Sequence, residues 1–267
     1  MRVGVLALIA LGALLRSPVT AHDFWIEPST FRPEPGSTIS ARLLVGEEFR
    51  GDPYPHSDQH ILRFFLSGPK GEAPVEGAEG AEPAGVARIE APGLHWIGYA
   101  SHETVVELGA DKLGTYIQLV GLEPFFKRDR TKPIRDHFSR CAKSLLLSGP
   151  ARGNLKGFDR RLGFRLELVP EANPYTLGKN AVLPVRLLES GKPVANALVV
   201  AIERSRPEDS AVRARTDAQG RVRLALPRPG VWLVKAVWIA PIAGSEDEWE
   251  SWWASLSFEL PTPAVER

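Results

Sequence analysis

The second half of the chain repeats one local pattern, and that pattern restricts the fold more than any other feature. Seven short runs rich in Val, Ile, Leu, Phe and Trp cover residues 164–169, 182–188, 197–203, 212–216, 222–226, 232–239 and 251–260. Each is closed by Gly, Pro, Asn, Asp or Ser, the residues that end strands and open turns. Asp217-Ala218-Gln219-Gly220 offers a side-chain acceptor to start a turn and a glycine to take positive φ. Glu189-Ser190-Gly191-Lys192-Pro193 closes another hairpin. This spacing predicts an Ig-like or transthyretin-like β-sandwich over residues 162–261.

The first half is also strand-rich. Ile39, Ala41, Leu43 and Val45 alternate with more polar neighbours, and residues 61–66, 86–90, 94–100 and 104–108 read as short strands. Residues 68–85, rich in Gly, Ala, Pro and Glu, read as a loop or hairpin insertion. Leu113, Tyr116, Ile117 and Val120 follow Asp111 with helical spacing, and residues 132–146 show the same rhythm after Pro133. The prediction is a mainly β chain of two β-sandwich domains. The N-terminal one, 22–148, is Ig-like with two inserted helices. Residues 149–161 form a linker, the C-terminal sandwich follows, and 262–267 are a tail. At 267 residues the chain is comfortable for two such cores.

The extreme N-terminus has a different character. Residues 1–21 carry an arginine, an apolar run from Val3 to Leu15 and the small-residue stop Val19-Thr20-Ala21, the anatomy of a cleaved secretion signal. No later apolar run approaches the ~18 residues of a membrane span. The expectation is therefore a secreted protein that begins at His22 and does not span the membrane. Its single cysteine, Cys141, cannot form an internal disulfide. Spaced with Ile134, Phe138 and Leu145, it reads as a buried structural thiol on a helix face.

Charge excludes one class of partner. The chain carries 33 Lys and Arg against 32 Asp and Glu, and the leader holds only Arg2 and Arg16 of these. Nothing in that balance predicts binding to nucleic acid, which rests on neutralising many phosphates. The one dense basic stretch, 127–132, is broken by Asp129 and reads as a solvated loop.

A mature N-terminal His22 offers two nitrogens from one residue, the imidazole and an α-amine with an unperturbed pKa near ~7.7. Together they can chelate a divalent transition-metal ion such as Cu(II) or Ni(II). Further donors would come from elsewhere. Asp23 and Glu27 follow and could supply an oxygen or orient the imidazole. His60 stands four residues from His56, but Asp52-Pro53-Tyr54-Pro55 precedes the pair, so a loop is expected and not a metal-binding helix. His95 and His102 flank one strand, and their odd and even positions face opposite ways, so at most one can join a site. His95 reads equally well as a half-buried sheet residue with a satisfied hydrogen bond. His137, next to Asp136, is expected at the surface or between the domains. Phe24 and Trp25 are expected to anchor the terminus. Of Trp249, Trp252 and Trp253, the last two should lie on opposite faces of the final strand, a core-and-rim arrangement.

No catalytic pattern is present: there is no G-x-S-x-G elbow, H-E-x-x-H zinc helix or phosphate-binding G-x-x-x-x-G-K-[ST] loop. The expectation is a protein that is not an enzyme. The one enzymatic alternative with a mechanism is a copper oxidase using His22 and a second histidine.

The segments His22-Asp23-Phe24-Trp25-Ile26-Glu27-Pro28, 138–143, 162–170 and Trp249-Glu250-Ser251-Trp252-Trp253-Ala254-Ser255-Leu256 together resemble the NikM-like domain-of-unknown-function family. The resemblance runs through essentially the whole mature chain. It implies a periplasmic or exported bacterial β-protein associated with nickel uptake, handling Ni(II), Co(II) or Cu(II) ahead of a membrane metal transporter or envelope partner, with His22 as a ligand. Trp238 stands where the family commonly carries histidine. The alternative reading is a periplasmic β-sandwich interaction module with no metal role.

Overall fold

A computed structural model describes residues 22–127, 129–151, 155–178 and 180–262. The expected leader lies outside these residues. Strands β1 (Asp23–Pro28), β2 (Thr38–Glu47), β3 (Arg50–Pro53), β4 (Ile61–Gly68), β5 (Gly71–Pro74), β6 (Gly85–Arg88), β7 (Gly93–Ser101) and β8 (Thr104–Leu108) come first. Helix α1 (Ala110–Leu119) and the long strand β9 (Ile134–Ser148) complete the first half. The second half contains β10 (Leu166–Pro170), β11 (Ala181–Glu189), β12 (Lys192–Pro193), β13 (Leu198–Glu203) and the short helix α2 (Pro207–Ser210). It ends with β14 (Val212–Arg215), β15 (Arg221–Leu226), β16 (Gly230–Pro241) and β17 (Glu248–Leu260).

The fold is mainly β and of the sandwich class. One large sheet runs β14-β13-β16-β17-β9-β7-β4-β5, with β8 also paired to β9. A smaller sheet, β1-β2-β3 with β6 on β2, packs on one face, and another, β10-β11-β12 with β15 on β11, packs on the other. β17 alternates as a strand between two layers must. Trp252, Ala254, Leu256 and Phe258 point into the core shared with β10, β11 and β15. Trp249 and Trp253 point to the opposite side, under α1. Trp253 stacks on Tyr116 of α1 at 5.9 Å between ring centroids.

Residues 149–165, which include the expected linker 149–161, lie between β9 and β10 in sequence, yet strands from both sides of them share the large sheet. β17 runs parallel to β9, with Glu248 opposite Arg135 and Ser257 opposite Ser144. Local turns behave as their residues dictate. Asp217 Oδ1 accepts from the backbone N–H groups of Gln219 and Arg221, and Gly220 takes φ 74°. Ser190 and Gly191 both adopt positive φ, 47° and 78°, the conformation of a type I′ hairpin.

The helix expected over 132–146 is instead β9, a correction with a clear physical cause. From Cys141 to Ser148 every residue is buried, because two layers cover the strand. A strand enclosed on both faces loses the apolar–polar alternation that marks a half-exposed one, and its spacing then fits a helix equally well. Cys141 is buried as expected, but as a strand residue. The other expected helix, after Asp111, is α1.

Candidate functional site

The start of β1 is held from its first residue. Asp23–Pro28 pairs with β2 from Asp23 opposite Gly46 to Pro28 opposite Ala41. The free edge of β1 packs on β9 and β17, where Ser257 Oγ donates to the Ile26 carbonyl at 2.7 Å. Phe24 enters the core on one side against Tyr99, and Trp25 enters on the other against Phe49. Trp25 and Ile26 are 1% and 0% exposed, so nothing in this segment is free to fray. His22 is half-buried immediately before it.

Asp23 is buried and forms a 2.5 Å ion pair with Lys235 of β16. Burial raises its carboxyl above the usual range, while the ammonium of Lys235 pulls in the opposite direction. The pair lies against a cavity of about 40 Å³, also lined by Val237, Trp253 and Leu119. Asp23 therefore acts first as the clamp that joins the terminus to the large sheet. Sequence reasoning could not find Lys235, which lies 212 residues away and bears no motif.

The other expected ligands are dispersed. His60 bonds through Nδ1 to the Tyr54 hydroxyl at 2.9 Å, and its carbonyl accepts from the backbone N–H of His102 at 2.9 Å. Those two residues are thus neighbours along the backbone hydrogen bond, with the His102 side chain exposed. His95 is 3% exposed, with Nδ1 at 3.1 Å from the Gly93 carbonyl. Burial lowers its pKa, as for a core histidine with one satisfied nitrogen. His95 packs against Gly68, where a Cβ would come within 2.4 Å of the ring.

His56 is also buried, between the Ala84 carbonyl and Asp58. His137 lies between Glu103 at 2.8 Å and Glu248 at 3.4 Å, and the hydrogen bond to Glu103 raises its pKa. Among the described residues, no three of His, Cys, Asp and Glu come together in a group able to hold a metal ion. His22, Asp23, His60, His95 and His102 therefore do not form one centre. Trp238 packs edge-on against Phe125 at 4.6 Å, in an aromatic contact and not beside a ligand set.

No helix among the described residues is long and apolar enough to cross a membrane. A comparison with curated proteins finds no match. A family model described as "Domain of unknown function (DUF4198)" matches residues 19–240, a span that takes in the clamped terminus, all of β9 and most of β16. The chain belongs to this domain-of-unknown-function family.

Proposed function

We propose that this chain is an exported, non-catalytic accessory protein that binds a transition-metal ion, Ni(II), Co(II) or Cu(II), through His22 once a leader ending at Ala21 is removed. The metal is cargo on this reading. Cleavage would turn the amide of His22 into an α-amine, and amine and imidazole would close a chelate ring.

The observation that carries the proposal is the fixing of β1 immediately beyond His22. A chelating terminus binds well only if its donors are already positioned, since ordering a loose end costs conformational entropy. Buried Phe24, Trp25 and Ile26, together with the Asp23–Lys235 ion pair, provide that positioning. With two donors from His22, the remaining positions would be filled by water or a partner, an arrangement suited to passing a metal on. The resemblance to nickel-uptake proteins points the same way and supplies the partner class, a membrane metal transporter.

The test is a Cu(II) and Ni(II) titration of protein whose N-terminus is verified by mass spectrometry as His22, beside a version with one extra residue in front. Binding at 1:1 that weakens by roughly tenfold or more on extension supports the chelate. Equal binding by both, or binding by neither, overturns it, and the β-sandwich interaction module then becomes the reading to pursue.

A further inference from the structure

A cleft of about 550 Å³ opens where β4, β7 and β9 of the large sheet meet β11 and the segment leading into β10. That volume is in the range of clefts that hold a small organic molecule. Leu62, Ala100, Phe164 and Leu188 give it apolar walls, and Leu62 remains 56% exposed. A leucine left so open beside a cleft is apolar surface still available for burial.

Three arginines, Arg63, Arg161 and Arg165, line the same cleft. Two of them are held in place. Arg63 donates to the Leu162 carbonyl at 3.1 Å and to Glu72 at 3.2 Å, with its guanidinium carbon 4.3 Å from the Phe65 ring centroid. Arg165 pairs with Glu189 at 3.0 Å and lies 4.5 Å from the Trp252 ring centroid. Arg161 is exposed and, among the described residues, enters no ion pair. The one carboxylate in the lining, Glu167, is occupied by Lys143 and by the backbone N–H groups of Leu162 and Gly163. Asp159 and Glu171 line a separate hollow that Arg161 also borders, and Glu171 is itself paired with Arg221. Within the cleft, Glu72 and Glu189 thus offset two guanidinium groups from outside the lining, Lys143 offsets Glu167, and the charge of Arg161 is left over. Its planar fork of N–H donors suits a carboxylate, and one leftover charge between apolar walls matches a carboxylate better than the roughly −1.5 to −2 of a phosphate group.

We infer that this cleft binds a small amphiphilic anion, a single carboxylate carried on an apolar body. Arg161 takes the carboxylate, and Leu62 and Phe164 cover the apolar body. The inference goes beyond the metal reading and does not depend on the terminus, since His22 is no part of the cleft lining.

The experiment is a calorimetric titration of the protein with octanoate in metal-free buffer, beside its uncharged isostere octanamide and inorganic phosphate. The wild type should bind one octanoate saturably, and octanamide roughly tenfold more weakly or worse. Arg161→Gln should weaken octanoate by roughly tenfold and leave octanamide nearly unchanged. Leu62→Ser should weaken both ligands alike, because it removes apolar contact and no charge. Both side chains are exposed, so both variants should fold, as circular dichroism checks; should one fail, the other carries the test. Adding one residue before His22 should not change octanoate binding, which separates this result from the metal titration. The inference is overturned by absence of saturable octanoate binding to the wild type, by octanamide or phosphate binding as tightly as octanoate, or by unchanged octanoate affinity in either variant.

Discussion

Lys143 of β9 and Glu167 of β10 meet at 2.9 Å with side chains 1% and 4% exposed, joining the large sheet to the sheet that covers it. The remaining capacity of Glu167 is used by the backbone N–H groups of Leu162 and Gly163, and the Lys143 ammonium lies 4.6 Å from the Trp96 ring centroid. Such a pair is costly to break from one side, because the survivor is a buried charge without a partner.

Lys143→Met should therefore destabilise the protein by about 3 to 5 kcal/mol. Adding Glu167→Gln to that variant should recover a large part of the loss. Urea unfolding of the two single variants and the double variant gives the coupling directly. Additive losses would show that the ion pair contributes nothing beyond its separate side chains.

Asp136 makes stability depend on pH. Its carboxyl is buried under α1 and is raised to about 6, chiefly by burial, against the hydrogen bond from Ser251 at 2.8 Å. A raised carboxyl pKa favours the fold fully below the unfolded value of ~3.9, and that contribution is lost as pH rises through about 6. Asp136→Asn removes the dependence while keeping an acceptor for Ser251. The variant should match the wild type near pH 4 and gain on it by up to about 3 kcal/mol at pH 7.5, read by urea unfolding across that range.

Cys141 should be inert in the native protein. Burial pushes its thiol up to about 11, so thiolate is scarce at neutral pH and the sulfur is also shielded. An aromatic disulfide reagent should modify it stoichiometrically in guanidinium chloride and negligibly without denaturant. Rapid native labelling would show that β9 opens far more often than its burial implies.

Gly51 of β3 leaves no room for a side chain. A Cβ there would come 2.5 Å from the Val45 carbonyl oxygen and 2.7 Å from the Trp25 ring. Gly51→Ala should cost about 1 to 3 kcal/mol, visible as a lower unfolding midpoint, because a backbone atom cannot yield as a flexible side chain can.

Strands bounded by their own turn chemistry were legible in the sequence. Ser190-Gly191 and Asp217–Gly220 fix their hairpins with residues a few positions apart, so β11, β12 and β15 follow from local pattern. β9 was not legible as a strand, because enclosure by two layers erased its alternation. Nor was its partner, since nothing local in residues 134–148 specifies a parallel neighbour more than a hundred positions downstream. The same holds at the candidate site: His22, Phe24 and Trp25 announce themselves, whereas Lys235 acquires meaning only through the strand that brings it there. His95 was readable as a sheet residue, and burial against Gly68 is what made it one.

The parallel pairing of β9 with β17 also dictates an order of events during biosynthesis. β7, β8 and β9 can associate as soon as they exist, but the other edge of β9 waits for β17, made about a hundred residues later. Until then a long strand with apolar stretches presents an open edge, the kind of surface that recruits other chains. Asp136, Arg140, Lys143 and Ser144 interrupt that edge with charge and polarity. They are awkward to bury in the finished protein, yet charge and polarity of this kind are what discourage an unpaired edge from taking other partners.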